Sequence, residues 1–178
     1  MKVRRVVTAI TADGTSVFES DSLVDGITLS ALPGIEFHRL WGADEVPALP
    51  NGGGEPSSGV PYFPAAPGFR FGLFTVPPDS TPLPADLDIT TFLSEMEAKL
   101  PGLAAHMEPD NPGMHTTDTV DYEFIVSGRV VLELDDGVTV ELGPGDTVIQ
   151  NGTRHAWRNK SDSAATLAFI LIGAHRTR

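Results

Sequence analysis

Apolar and polar residues alternate with a period of two through most of the second half of the chain. The runs are 120–126 (VDYEFIV), 130–142 (VVLELDDGVTVEL), 147–150 (TVIQ), 155–159 (HAWRN) and 166–173 (TLAFILIG). That period sends successive side chains to opposite faces of a sheet, so each run predicts a half-buried strand. Asp136-Gly137 marks the tip of a hairpin inside 130–142, and Gly143-Pro144-Gly145-Asp146 marks a second turn. Strands spaced by roughly 8–12 residues with turn residues between them predict a sandwich or barrel, an all-β fold.

The first half is less regular. Residues 3–8 (VRRVVT), 35–41 (IEFHRLW) and 69–76 (FRFGLFTV) read as strands, the last closed by Pro77-Pro78. In 35–41, Ile35, Phe37, Arg39 and Trp41 oppose Glu36, His38 and Leu40, so neither side is purely apolar. Residues 47–68 (PALPNGGGEPSSGVPYFPAAPG) lack any periodicity and predict a long loop, a functional cover or a surface excursion, with Tyr62 and Phe63 as pins to the body. One helix is expected over about 89–106. Phe92, Met96 and Leu100 make its apolar stripe, Asp88 is its N-cap, and Pro101 ends or kinks it.

Composition narrows the function classes. The chain has 178 residues, 40% of them apolar, which suits a globular domain with a sizeable core. A net charge of −12 repels phosphate backbones and anionic bilayers, so neither nucleic acid nor a membrane is an expected partner. There is no cysteine, which excludes disulfides and thiolate chemistry and leaves only nitrogen and oxygen ligands for a metal. No stretch approaches the roughly 20 apolar residues of a membrane span, and the N-terminus lacks the pattern of a signal peptide, so a cytoplasmic location is expected.

Five histidines are present: His38, His106, His115, His155 and His175. His115 precedes a predicted strand next to Pro112-Gly113, and His155 follows one next to Asn151-Gly152. Turns of this kind bring side chains together at the end of a barrel. His38 and His106 have no partner pattern and read as structural, and His175 as solvated.

The stretch from Gly113 to Asn159 resembles the two motifs of the cupin superfamily. The first motif runs His-x-His, three or four residues, Glu, six residues, Gly. Here His115 takes the first histidine position, Thr117 stands in place of the second, Asp121 takes the glutamate position, and Gly128 follows. The second motif runs Gly-Asp, a strand, Pro-x-Gly, two residues, His, three residues, Asn. It is matched by Gly145-Asp146, Gln150-Asn151-Gly152, His155 and Asn159, with Gln150 replacing the proline. The resemblance implies a cupin-type jelly-roll β-barrel over 69–178, with residues 1–68 adding N-terminal strands and the Gly/Pro-rich loop to one structural domain, and with one inserted helix. Exposed edge strands need cover, so a homodimer is expected, with the N-terminal strands suited to crossing between protomers.

For the site, the resemblance implies a divalent first-row transition metal (Fe, Mn, Zn, Ni or Co) held by His115, Asp121 and His155. Two imidazoles and a carboxylate leave coordination positions open for water or substrate. The alternative is a decayed metal site in a pocket that binds small molecules. Strand parity puts Glu123 on the same face as Asp121, and a carboxylate inside an apolar barrel must be paired, metal-bound or protonated, which makes Glu123 the candidate catalytic base or a fourth ligand. Tyr122, Arg154 and Trp157 are the candidate substrate-binding residues, Arg154 through its fork of donors. The expected function is that of a metal-dependent enzyme acting on a small organic molecule, an oxygenase, isomerase, decarboxylase or lyase. A non-catalytic small-molecule binder is the alternative.

Overall fold

A computed structural model describes all residues except 51, 58 and 178. The long-loop expectation at 51 and 58 therefore lies outside the described residues. The chain forms β1 (Lys2–Ile10), β2 (Ser16–Asp25), β3 (Ile27–Thr28), β4 (Glu36–Ala43) and β5 (Phe69–Val76), then α1 (Ile89–Lys99). β6 (Thr119–Ser127), β7 (Val130–Glu133), β8 (Thr139–Leu142), β9 (Thr147–Asn151), β10 (Ala156–Arg158) and β11 (Ala165–Gly173) follow. The class is all-β, as the alternation predicts.

The strands make three sheets: a six-stranded sheet in the order β3-β4-β5-β11-β6-β9, a three-stranded sheet β10-β7-β8, and the hairpin β1-β2. The two larger sheets face each other. Val130, Leu132 and Leu142 of the small sheet pack with Val76, Ile125, Ala165 and Leu167 of the large one in a common apolar cluster. Among the described residues no ladder joins the two, so the jelly roll is a double sheet rather than a closed barrel. A second cluster gathers Phe37, Tyr62, Phe169 and Leu171 with Met96, Leu100 and Leu103, which seats α1 and the long loop over the large sheet.

Two local expectations change. The helix ends at Lys99, with Leu100 as C-cap, and Pro101 ends it rather than kinking it; only a short 3₁₀ turn, Ala104–His106, lies beyond. Asp88 caps it as expected, its carboxylate accepting from Thr90 N–H. SVFESDSLVD has no apolar face to signal a strand; β2 exists because β1 folds back on it through the turn at 11–15. β4 is buried on both sides. Phe37 and Arg39 face the interior, while Leu40 and His38 are covered by the N-terminal segment, with Leu40 O accepting from Arg5 and His38 Nε2 2.8 Å from Met1 O.

The register of the large sheet sets up the site. Arg39 is opposite Gly72, Gly72 opposite Phe169, and Phe169 opposite Glu123. Directly opposed residues share a face, so these four form one row across β4, β5, β11 and β6. The next row runs Arg70, Leu171, Asp121, Gln150. At Gly72 a Cβ would lie 2.2 Å from His38 O and 2.6 Å from the Phe169 ring, so only glycine lets that ring lie over the sheet.

Candidate functional site

β6 presents Thr119, Asp121, Glu123 and Ile125 inward, all buried. Parity along the strand therefore holds, and Asp121 and Glu123 are interior neighbours. Asp121 Oδ1 and Glu123 Oε2 are fully buried with no hydrogen-bond partner among the described residues. So is Nε2 of Gln150, which stands opposite Asp121 on β9. Gln150 Oε1 is committed, accepting from the backbone and hydroxyl of Thr153. Two carboxyl oxygens and one amide donor are thus left open in one interior patch.

Burial pushes both carboxyls up, Asp121 to about 6, partly offset by the Thr119 hydroxyl, and Glu123 to about 8, with the Asp121 charge as the second cause. At neutral pH Glu123 holds a proton and Asp121 is largely ionised, so an acid and a base stand side by side. Such a pair suits proton transfer.

The histidines form a separate pair. His115 and His155 exchange backbone hydrogen bonds at 2.9 Å, and their ring centroids lie 4.1 Å apart. Gly152, with φ +58, turns the chain from β9 toward His155. Nδ1 of His115 faces Gly113 O and Nδ1 of His155 faces Thr153 O, each at 3.0 Å. A carbonyl only accepts, so both rings carry the proton on Nδ1 and keep an Nε2 lone pair. Burial lowers both, His155 to about 4 with the His115 charge as the next cause. Phe63 of the long loop stacks on His115 at 6.2 Å and meets His106 edge-on at 4.9 Å.

Two Nε2 lone pairs and two carboxylates are a donor set whose chemistry suits a divalent first-row metal. Their placement does not fit one: among the described residues no three His, Asp or Glu side chains gather closely enough to hold an ion. The expected triad of His115, Asp121 and His155 is thus divided into a histidine pair and a carboxylate pair. Thr117, in the place of the second histidine, is buried and bonded through its hydroxyl to Thr119 at 2.8 Å.

The expected substrate-binding residues separate. Trp157 packs against the interior cluster and meets His155 edge-on at 6.4 Å. Tyr122 points the other way: it alternates with Asp121 and Glu123, lies on the outer face of the sheet and is 46% exposed, so it does not line the interior. Arg154 is turned to acidic partners of its own chain, its Nε and Nη2 each donating to Glu108 at 2.6 Å and its Nη1 to Asp135 at 2.9 Å. Gln150 escaped the sequence reading, where it stood only as a replaced proline; a long polar side chain at a motif's proline position was the available signal.

Residues 105–172 match the family model described as a cupin domain. Over that segment the chain is similar to cupin domains. It is similar to phomopsin biosynthesis cluster proteins C′ and D of Diaporthe leptostromiformis, each 35% identical over 109 residues, or 53% of this chain and 58% of the relative. Oryzines biosynthesis cluster protein J of Aspergillus oryzae is 35% identical over 60 residues, 34% of each chain. The match to the phomopsin-cluster proteins thus spans little more than half their length. Among solved structures, the Schizosaccharomyces pombe Cnp3 cupin domain aligns over 97% of this chain and 89% of its own with a TM-score of 0.48 and 11% identity. A cupin 2 conserved barrel domain protein from Salinispora arenicola covers 83% and 82% with a TM-score of 0.44 and 18% identity.

Proposed function

We propose that this protein is an enzyme acting on a small organic molecule between its two sheets, with Glu123 moving a proton at Oε2. The observation that carries the reading is the open patch of Asp121 Oδ1, Glu123 Oε2 and Gln150 Nε2, buried polar atoms that the fold itself leaves without partners. Such atoms cost on the order of 1–3 kcal/mol each when left unsatisfied, and a polar ligand that bonds them recovers that loss. Glu123, protonated beside ionised Asp121, supplies the acid, and Gln150 supplies a donor that orients an oxygen of the ligand. Similarity to biosynthesis cluster proteins supports a small-molecule substrate. The test is turnover of a panel of small oxo and hydroxy acids in deuterated water, read by NMR. Glu123→Gln should lose on the order of 10²–10⁴-fold in rate. An unchanged rate overturns the assignment.

A metal-dependent reading would need the two Nε2 lone pairs of His115 and His155 to be drawn together with Asp121, which their placement here does not do. Elemental analysis of the purified protein decides it, with His155→Ala as control. One metal per chain, lost in the variant, supports metal dependence. Full activity without stoichiometric metal supports acid–base chemistry by the chain's own residues, and metal-free protein that binds but does not turn over any compound supports a binder. A homodimer is part of the same proposal: the β1-β2 hairpin exposes Val6, Phe18 and Leu23, apolar surface suited to a second copy. A species of about 19 kDa by light scattering at micromolar concentration contradicts it.

A further inference from the structure

Arg39 is 9% exposed, and among the described residues it has no carboxylate partner. Its guanidinium donates instead to three carbonyls of the long loop: Val60 at 2.7 Å, Pro61 at 3.3 Å and Ser57 at 3.4 Å. Its neighbour Arg70 is 4% exposed and is matched by Asp44, with Pro61 O, Ala43 O and Phe69 O as further acceptors. Asp44 pairs directly with Arg70, so Arg39 is left with no carboxylate in contact among the described residues. Carbonyl dipoles solvate a buried cation incompletely, and an anion in the same place is the better partner.

The position of that charge is informative. Arg39 ends the row that Glu123 begins, with Gly72 and the Phe169 ring between them, three strand spacings or about 14 Å from backbone to backbone. Tyr62 packs on Phe169 at 6.0 Å and on Phe37 at 5.6 Å, so in the free protein the interval is filled by buried aromatic rings, with Tyr62 of the loop among them. Arg39 and Pro56 also line both a small cavity of about 10 Å³, with Tyr62, Phe169 and Arg70, and an open groove of about 710 Å³ bounded by Arg5, Asp25 and Lys99. Arg39 therefore stands where the outside meets the interior.

We propose that Arg39 recognises the carboxylate of an organic-acid ligand whose apolar body lies along Phe169 toward Glu123, and that the carbonyls of Ser57, Val60 and Pro61 hold its place in the free protein. One guanidinium charge and its planar fork of donors select a single carboxylate, and the aromatic rings select an apolar body. Binding exchanges loop carbonyls for the carboxylate and loosens the strap. This deepens the proposed function by naming the substrate class.

The test uses the full chain with acetate, hexanoate and benzoate, and with the corresponding amides as uncharged controls. Affinity is read by NMR titration, and loosening by hydrogen exchange of the Val60 and Tyr62 amides, which are bonded to Ser57 O and Pro101 O. The acids should bind, hexanoate and benzoate more tightly than acetate, and speed exchange at Val60 and Tyr62 by roughly 5-fold or more; the amides should do neither. Arg39→Lys keeps the charge without the fork and should weaken acid binding about 10-fold, in line with the difference between the two side chains. If that variant does not fold, the contrast between acid and amide in the unaltered protein decides alone. Amides that bind as well as acids, acids that do not bind, or acid binding without faster exchange at Val60 and Tyr62 overturns the proposal. Acid binding is read on the unaltered protein and turnover on Glu123→Gln, so acid binding together with lost turnover supports both readings. Lost turnover in Glu123→Gln, with acids that fail to bind the unaltered protein, overturns this inference alone, and retained turnover with acid binding overturns the acid–base assignment alone.

Discussion

The rings of His115 and His155 stand 4.1 Å apart, each held by its Nδ1 against a carbonyl of its own turn. Two imidazolium charges at that separation in a buried setting repel strongly, and burial adds to the cost. Both rings should therefore be neutral Nδ1–H tautomers at pH 6.5, with His155 titrating near 4. Nitrogen-15 NMR of the ring nitrogens reads this directly. An Nε2–H tautomer on either ring, or titration at or above the ordinary value, contradicts it.

Stability should fall with rising pH on the alkaline side of neutrality. Glu123 keeps its proton in the fold up to about 8, against 4.5 for an ordinary glutamate. Between those values the unfolded chain releases a proton that the fold retains, so this contribution is full below 4.5 and lost as pH rises through 8. Asp121 acts the same way from 3.8 to about 6. His155 opposes them: its folded value of about 4 lies below the ordinary 6.5, so its term rises with pH over that interval. Above about pH 7.5 the unfolded histidine and folded Asp121 have nearly finished titrating, and of these three groups only Glu123 still changes. The urea midpoint should decline from about pH 7.5 to about pH 9 in the unaltered protein and stay level in Glu123→Gln. Equal slopes in the two proteins would remove Glu123 from the buried interior.

Asn159 should prove structural. It is fully buried, its Nδ2 donating to Val76 O and Ser163 O at 2.9 and 2.8 Å, while its Oδ1 accepts from the backbone and hydroxyl of Ser161. Asn159→Ala strands two carbonyls and opens the turn that leads into β11. A loss on the order of 2–4 kcal/mol in urea unfolding is expected, with acid affinity unchanged once the variant is folded. A variant of full stability would contradict the network.

Tyr122→Ala and Arg154→Ala should leave KM and acid affinity within about 2-fold of the unaltered protein, since surface substitutions away from a site act weakly. Tyr122 lies on the outer face, and Arg154 is held by Glu108 and Asp135. A 10-fold rise in KM for either would return it to the site and count against Arg39 as the residue that receives the substrate's charge.

The sequence by itself determined what depends on near neighbours. Alternation at a period of two is a local property, so the strands from 120 onward and the hairpin turning at Asp136-Gly137 could be read directly, as could the helix start at Asp88. Parity is local too, and it put Asp121 and Glu123 on one face. It also put Tyr122 on the other, a consequence that weighed less than its aromatic character until the exposed ring settled the matter. Tertiary structure decided everything that depends on which strands lie side by side. β4, β5, β11 and β6 are far apart in the chain, and only their pairing aligns Arg39, Gly72, Phe169 and Glu123 in one row. The acidic strand β2 has no face of its own and exists through its ladder with β1. His115, Asp121 and His155 have a ligand set's spacing in sequence, yet convergence on one ion needs ångström placement in space, which spacing along a chain does not fix. Arg39 read as one polar residue in a mixed strand; that its guanidinium meets loop carbonyls is a property of the chain folded over it.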